Sequence, residues 1–263
     1  MQYSISYWCT SHIGNVRSTN QDNFICDGRF MDINDGTITF PLCGTRVSKD
    51  HSVFGIFDGM GGEECGEVAS YIAARDASAM EVGKDPLTAF SQFCQKANTD
   101  ICNYASENGI SAMGTTAAML AFTTKGITLC NIGDSKIFRF CNGLLEQISE
   151  DHLAVAAFGV KPPLSQNLGI PPTELIIDPY LAQGFYSPGD IYLICSDGLT
   201  DMVTTEEITG ILCAKPADEA TGELLNKALE NGGRDNISII LCKIERKSGW
   251  FFSRMRQPEK KEV

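Results

Sequence analysis

The chain has 263 residues, of which 43% are hydrophobic and 21% charged, a composition that suits a globular protein with a full core. The formal net charge of −12 argues against a general nucleic-acid-binding protein, because such proteins present a basic face to phosphate. No apolar run approaches the length of a membrane span. From residue 245 onward six Lys or Arg stand against three Glu. We therefore expect a folded domain over 1–244 and a basic, partly disordered tail over 245–263.

The eleven cysteines are scattered, contain no C-x-x-C pair, and often lie inside apolar runs. Free cysteine packs as a small hydrophobic side chain. The opening residues, MQYSISYWCT, lack the basic and long apolar regions of a signal peptide. These features predict reduced cysteines in a cytoplasmic protein rather than a disulfide framework or a zinc site.

The first half of the chain predicts strands around two helices. Alternation over 3–9 predicts a strand, and turn signals within 24–50 predict a hairpin or two. The apolar run 52–57 predicts a buried strand, followed by a helix from Glu63 to about Met80. Apolar residues from Leu87 to Tyr104 recur at spacings of three and four, which predicts a second helix.

The second half of the chain alternates between strands and helices. Short apolar segments separated by glycine turns over 115–148 predict an antiparallel meander, and residues 149–172 are irregular. The pattern then predicts strands over 173–178 and 190–196, helices over about 204–213 and 217–230, and a last strand over 236–243. This inventory fits an α+β fold in which two packed antiparallel β-sheets are flanked by helix pairs.

Four carboxylates and an arginine stand where apolar stretches meet turns. They are Arg17 with Asp22, Asp58 in FGIFDGMGG, Asp197 in LICSDGLTD and Asp235 in GRDNISII. Acids at the ends of neighbouring strands converge, and converging carboxylates repel one another unless a cation joins them. Oxygen-only ligands favour Mg²⁺ or Mn²⁺ over zinc, and an arginine beside such ions is suited to gripping phosphate.

Six segments in order carry a family resemblance: VRSTNQD, FGIFDGMGG, MGTTAAML, NIGDSK, ICSDGLTD and GRDNIS. Together they resemble the metal-dependent serine/threonine protein phosphatases of type 2C, in their bacterial form. The resemblance spans nearly the whole of 1–244. It implies two antiparallel sheets flanked by helices, with a two-metal centre in a cleft at one end of the sheets.

The resemblance also implies a role for each site residue. Asp58 would bridge two Mn²⁺ or Mg²⁺ ions; the backbone carbonyl of Gly59 would complete the coordination of one ion, and Asp197 and Asp235 would hold the other. Asp22 would act through metal-bound water, and Asp134 with Asp197 would hold a third and weaker ion. Arg17 would hold the substrate phosphate, and Asn236 would orient Asp235 or its waters.

The implied activity is hydrolysis of phosphoserine and phosphothreonine by a water that bridges the two ions and attacks phosphorus directly. The ions and Arg17 would neutralise the phosphoryl oxygens, so no protein nucleophile is needed. Cys65 and Cys195 are excluded as nucleophiles, because a cysteine phosphatase resembles C-x5-R and the sixth residues onward are Tyr71 and Asp201. The expected partners are phosphoproteins and an opposing bacterial Ser/Thr kinase, with the chain acting as a monomer.

Departures from the family pattern leave alternatives open. Gln21 stands where a glutamate is common, and Met60 where many eukaryotic members have a histidine; the bacterial members share this methionine. The flap region 151–169 looks short, and the longer segment 27–50 suggests a hairpin beside the site. One alternative is a regulatory module that keeps the fold without turnover, which metal binding without hydrolysis would reveal.

Two further alternatives concern specificity and proton transfer. The chain could be a phosphatase restricted to one partner-switching regulator, which a comparison of peptides with a folded phosphoprotein would reveal. His152 could replace the missing general acid, although a loop histidine more often has a structural role.

Overall fold

The computed structural model of the chain describes residues 3–33, 36–38, 41–47, 52–61, 65–157 and 159–246. The strands in these ranges are β1 (Tyr3–His12), β2 (Asp22–Cys26), β3 (Leu42–Val47), β4 (Ser52–Met60), β5 (Gly114–Thr115), β6 (Ala117–Thr123), β7 (Gly126–Ile132), β8 (Lys136–Cys141), β9 (Leu144–Gln147), β10 (Tyr180–Gly184), β11 (Ile191–Cys195) and β12 (Ile237–Arg246). The helices are α1 (Gly66–Ser78), α2 (Pro86–Asn108), α3 (Asp197–Thr200), α4 (Thr205–Ala214) and α5 (Ala217–Glu230).

The strands form two antiparallel sheets. One sheet has the order β3-β1-β12-β11-β8-β9, and the other has the order β10-β7-β6-β4-β2, with the short β5 paired to the end of β4. Each sheet is assembled largely from strands that are distant in sequence; β1, for example, pairs with β12 along its whole length. The first and last strands of the described chain are therefore paired with each other in the interior of one sheet.

Each sheet is buried on both faces, so the buried apolar side chains form three clusters: one between the sheets and one on the outer face of each sheet. Phe54 and Tyr192 belong to the cluster between the sheets. Phe57 lies an odd number of residues along β4 from Phe54, so strand alternation sends it to the other face, where it packs against Phe93 of α2. On the opposite outer face, Leu224 of α5 packs with the buried residues of β11 and β12. This arrangement confirms the predicted α+β fold of two sheets flanked by helices.

Local signals set the ends of the clearest helix. The Asp85 side chain accepts a hydrogen bond from the Thr88 backbone N–H at 3.3 Å, and Pro86 occupies the first turn, where its missing N–H costs nothing. Gly109 ends the helix in a left-handed conformation with φ 67°. The predicted second helix is confirmed and extends from 86 to 108. The first helix begins at Gly66, and the predicted start at Glu63 lies outside the described residues.

The prediction of a hairpin or two within 24–50 is confirmed at Asp27-Gly28, where the backbones of Cys26 and Arg29 exchange hydrogen bonds at 2.8 and 3.1 Å, but a hairpin between the longer strands β2 and β3 is wrong. β2 pairs with β4 in one sheet, whereas β3 pairs with β1 at the edge of the other. The preceding residues run along the end of β1, where the Ile38 backbone N–H donates to the Ser11 carbonyl at 2.9 Å. The turn residues show where strands end, but which strands pair depends on contacts between residues far apart in the sequence.

The prediction of a single meander over 115–148 is also wrong. The strands are present, but β6 and β7 pair in one sheet, while β8 and β9 pair in the other. The turn at Gly133 therefore carries the chain from one sheet to the other. The strand expected at 173–178 is absent there, and a strand occurs instead at β10. Two prolines within 171–172 and the polar neighbours of this segment weaken the strand pattern.

The remaining predictions for the second half agree with the fold. The strand expected at 190–196 is the fully buried β11, and the expected helices and last strand are α4, α5 and β12. α4 begins with a capping box between Thr204 and Glu207. β12 continues to Arg246, and residues 247–263 lie outside the described ranges, so the tail stays a prediction. No helix of the described chain is both long and apolar enough to cross a membrane.

Candidate active site

One end of the two sheets opens into a cleft of about 380 Å³ lined by acidic side chains. Asp58 reaches it from the end of β4, Asp134 from the turn after β7, Asp197 from the start of α3, and Asp235 from the turn before β12. Arg17 lies at its rim. The fold thus gathers in one cleft five of the residues that the sequence singled out.

A fifth aspartate lies at the base of the cleft. Asp22 is directly opposite Asp58 in the β2–β4 pairing, which puts the two side chains on the same face of the sheet. Its Oδ2 accepts a hydrogen bond from Ser196 Oγ at 2.8 Å, whereas its buried Oδ1 has no partner in the described chain. A buried carboxylate oxygen without a donor favours a cation or a water bound to one.

Burial and mutual repulsion disturb the ionisation of these acids. Burial raises the pKa of Asp22 to about 7, against the lowering effect of the neighbouring Ser238 and Ser196 hydroxyls. Burial, followed by the charges of Asp22 and Asp197, raises the pKa of Asp58 well above its usual range. The cleft therefore carries negative charge that lacks sufficient compensation within the protein.

Close backbone approach explains the glycine after Asp58. A Cβ added at Gly59 would lie 2.2 Å from the Gly66 carbonyl oxygen and 2.4 Å from that of Gln21. The Gly59 backbone N–H donates to the Gln21 carbonyl at 3.0 Å. Only glycine allows the three segments to meet here, so the backbone beside Asp58 is rigidly placed.

Asp134 occupies a separate corner of the cleft. Burial and then the charge of Asp197 raise its pKa to about 6, while Lys161 and Lys136 lower it. The turn that carries it packs against Thr116, which lies between β5 and β6: Ser135 Oγ and Thr116 Oγ1 are 2.7 Å apart. Asp134 therefore shares its surroundings with Asp197, the residue with which it was predicted to hold a third ion.

Two cations pair with the acids at the mouth of the cleft. An Arg17 guanidinium nitrogen donates to Asp235 Oδ2 at 2.7 Å, and this hydrogen bond raises the pKa of Arg17. Lys161, from the flap region, donates to Asp197 and also to Asp201 Oδ2 at 2.8 Å. Burial alone would lower the pKa of Lys161, but these contacts raise it.

Asn236 fixes the loop that carries Arg17. Its Nδ2 donates to the carbonyls of Ile13 and Thr19 at 2.9 and 3.0 Å, and its Oδ1 accepts from the Gln21 N–H at 2.8 Å. Its own backbone N–H donates to Asp235 Oδ1 at 2.8 Å. The side chain was predicted to orient Asp235 or its waters. Its contacts join the Arg17 loop to the start of β12, its backbone N–H contacts Asp235, and the role in orienting Asp235 or its waters stays a prediction.

The oxygen donors of the cleft fit a hard divalent cation, although the described side chains do not form a complete coordination shell. Among the described residues, no three Asp, Glu, His or Cys side chains are arranged to hold a metal ion directly. Asp197 and Asp235 face Lys161 and Arg17 instead. The orphaned oxygen of Asp22 and the mutual repulsion of the acids still require positive charge at the base of the cleft. Arg17 and Lys161 are about half exposed and exchange partners readily, so Asp235 and Asp197 stay available to an ion.

Other predicted or possible participants lie elsewhere. His152 Nδ1 accepts a hydrogen bond from the Gly133 N–H at 3.2 Å, and the His152 N–H donates to the Gly133 carbonyl at 2.9 Å, which is a structural role. Sequence reasoning missed Lys161, and no local motif marks it. It also missed Ser196, although a serine directly before Asp197 was a usable signal.

Comparison with known proteins assigns the family. The family model described as Protein phosphatase 2C matches residues 15–157. The serine/threonine phosphatase stp of Listeria monocytogenes is 31% identical over 219 residues, which cover 75% of this chain and 87% of that protein. The chain belongs to the protein phosphatase 2C family. The serine/threonine protein phosphatase PstP of Mycobacterium tuberculosis is 29% identical over 76% of this chain and 43% of its own length.

Solved structures agree with this family assignment. The crystal structure of Mycobacterium tuberculosis PstP/Ppp superposes with a TM-score of 0.75 and 26% identity, covering 92% of this chain and all of the other. The PstP catalytic domain in complex with two manganese ions gives a TM-score of 0.74 and 25% identity over 93% of this chain. The family, the enzyme class and the metal-dependent phosphatase activity predicted from the sequence are confirmed, and the two ions of that relative agree with the predicted cofactors.

Proposed function

We propose that the acidic cleft is a two-ion phosphatase centre acting on phosphoserine and phosphothreonine of proteins. This proposal rests on one observation: five aspartates from separate segments meet at one end of the two sheets, with an arginine at the rim of the cleft. The ions are Mn²⁺ or Mg²⁺, because every donor is an oxygen. The residues that would hold them are Asp58, the Gly59 carbonyl, Asp197 and Asp235, with Asp22 through water, and Asp134 with Asp197 for a third ion.

The bound ions would supply positive charge and lower the pKa of a water that attacks phosphorus. The protein's own residues position the substrate. Arg17 offers a planar fork of N–H donors to the phosphate oxygens once it leaves Asp235. Met60 lines the cleft and has no proton to give, so the leaving alkoxide would take its proton from water or from another group.

Both cations at the cleft mouth would change partners when ions bind. Arg17 and Lys161 now neutralise Asp235 and Asp197. With Asp235 and Asp197 holding an ion, Arg17 and Lys161 would be free to turn towards the substrate phosphate. The same two side chains that neutralise the carboxylates would then contribute positive charge to substrate binding.

We further propose that the chain opposes a bacterial Ser/Thr kinase in cytoplasmic signalling and acts as a monomer. The proposed opposition to a Ser/Thr kinase is supported by the bacterial relatives that are named as serine/threonine phosphatases. Support for a reducing compartment comes from Cys94 and Cys130, whose buried sulfurs are 3.5 Å apart and unbridged. A single copy supplies all the cleft residues named above, which supports a monomer.

The test is phosphate release from matched phosphothreonine, phosphoserine and phosphotyrosine peptides, each with Mn²⁺, Mg²⁺ or chelator. We expect metal-dependent release from the first two and little from the third. A kinase autophosphorylated on threonine serves as a folded substrate and also separates general activity from restriction to one regulator. Metal binding without release from any substrate would contradict the proposal and favour the regulatory module.

A further inference from the structure

A second concavity of about 610 Å³ adjoins the catalytic cleft. Met60 and Gly61 line both, so the two spaces are separated only by the end of β4. The second concavity, here called the side groove, lies between the last turns of α2, the loop 110–114 and the segment 167–174. Its position makes it continuous with the place where a phosphorylated residue is cleaved.

The chemistry of the side groove differs from that of the cleft. The cleft presents carboxylates and two cations. The side groove is lined mainly by apolar side chains, among them Ala105, Ile110, Met113 and Ile170, with Glu174 at an exposed edge. Apolar surface next to a charged site favours an apolar side chain of the same ligand.

The walls of the side groove are already in place. Asn98 is buried on α2, and its Oδ1 accepts from the N–H groups of Gly169 and Ile170 at 2.7 and 3.1 Å, while its Nδ2 donates to the Ile170 carbonyl at 2.9 Å. Leu168 and Thr115 exchange backbone hydrogen bonds at 2.9 and 3.0 Å. A preformed groove costs little ordering when a ligand enters, so its contacts contribute to affinity.

We propose that the side groove is a specificity pocket for an apolar side chain of the phosphoprotein substrate, a few residues from the phosphorylated serine or threonine. The proposal rests on the proposed function of the cleft. An extended chain advances about 3.3 Å per residue, so a neighbouring residue can reach a space that shares a wall with the cleft. The edge acid Glu174 disfavours an acidic side chain at the same position.

The experiment uses phosphothreonine peptides in which leucine, alanine or aspartate occupies one neighbouring position at a time, on either side. We expect leucine at one position to raise kcat/KM roughly tenfold over alanine, and aspartate to lower it, because filling a hydrophobic pocket discriminates at about this level. Equal kcat/KM across the series would overturn the proposal.

Two variants fill the groove and one serves as a matched control. Ser106→Trp on α2 and Ala112→Trp on the loop place bulk in the side groove, whereas Gln92→Trp adds the same bulk to an exposed site of α2 outside it. The leucine advantage should disappear in both groove variants and persist in the control. Persistence in a groove variant that still cleaves a small aryl phosphate at the wild-type rate would also overturn the proposal. Failure of the wild type to cleave that aryl phosphate with any metal would instead refute the proposed function.

Discussion

Asp22 and Asp58 lie directly opposite each other on adjacent antiparallel strands, at the point where the sheet opens into the acidic cleft. Such pairs bring side chains about 5 Å apart, and like charges in that position destabilise a sheet. The pKa of each carboxyl is raised, chiefly by burial. The fold therefore keeps an unfavourable pair of carboxyl groups at the end of the sheets that carries the active site.

Divalent ions should stabilise the folded protein. An ion that binds only the folded state stabilises it by about 3 kcal/mol at a hundred times its dissociation constant, which corresponds to roughly 5–10 °C in Tm for a domain of this size. We expect Mn²⁺ to raise Tm by that amount in thermal unfolding of chelator-treated protein. The shift should vanish in Asp58→Asn and persist in Asp100→Asn, a surface control. An equal shift in Asp58→Asn would contradict the assignment.

The metal-free protein should show a pH dependence that depends on Asp22. Its folded-state pKa of about 7 exceeds the ordinary value of 3.8, so the folded state holds a proton that the unfolded chain has released. Stability is thus lost as pH rises from about 4 to about 7. Asp22→Asn can still accept from Ser196, and it should be more stable than wild type above pH 7 by about 4 kcal/mol, with little difference near pH 4. Urea unfolding at several pH values measures this, and a difference independent of pH would count against it.

Arg17→Ala should weaken phosphopeptide use without unfolding the protein. A charge-assisted contact to phosphate is worth about 1.5–3 kcal/mol, so kcat/KM should fall about 10- to 100-fold, mainly through KM. Arg17→Lys should recover part of the loss, because it restores the charge without the planar fork. Arg75→Ala is a matched control: its side chain is 46% exposed against 48% for Arg17, and it also pairs with aspartates. An equal effect in the control would point to net charge rather than phosphate binding.

Lys161→Gln should bind Mn²⁺ more tightly yet bind phosphopeptide less well. The variant removes the ammonium that competes for Asp197, while depriving the substrate phosphate of a cation. Because Lys161 is 56% exposed, we expect only about a two- to fivefold gain in Mn²⁺ affinity by calorimetry, with a rise in KM. Lys227→Gln, which breaks an ion pair with Glu207 far from the cleft, is the control. Unchanged Mn²⁺ affinity in Lys161→Gln would argue against a cation that changes partners.

Asn236→Ala should destabilise the protein and misplace the Arg17 loop. The substitution leaves two backbone carbonyls and the Gln21 N–H without their partner, at a cost of about 2–4 kcal/mol. The denaturation midpoint should fall, and KM should rise at temperatures where the variant is folded. Asn108→Ala loses one exposed hydrogen bond within α2 and should change little. A stable variant with normal KM would show that the loop is held by other contacts.

Local signals predicted much of the fold. Pro86 and Gly109 mark the ends of α2, and the apolar run before Asp58 marks β4. Strand partners were harder, because β7 and β8 are joined by a single turn yet belong to different sheets. That choice depends on which faces are buried by strands far along the chain.

The acids of the site were predictable because each lies in a motif at a strand end, whereas the contacts that control them were not. Lys161 meets Asp197 across 36 residues, and Asn236 meets Thr19 across 217. Lys161 has no local signature, since a lysine before two prolines is an ordinary loop residue, and the motif GRDNIS marks Asn236 without showing what its side chain contacts. Only the folded chain shows that they act on Asp197 and on the Arg17 loop.

The central claim is that Asp58 supports both ion binding and turnover. The most direct measurement is a Mn²⁺ titration of wild type and Asp58→Asn that follows, in the same samples, bound Mn²⁺ and phosphate released from a phosphothreonine peptide. We predict that release rises with bound Mn²⁺ in wild type, and that the variant loses tight Mn²⁺ binding and at least about a thousandfold in rate. Release from Asp58→Asn at the wild-type rate, or from wild type in chelator, would contradict the account.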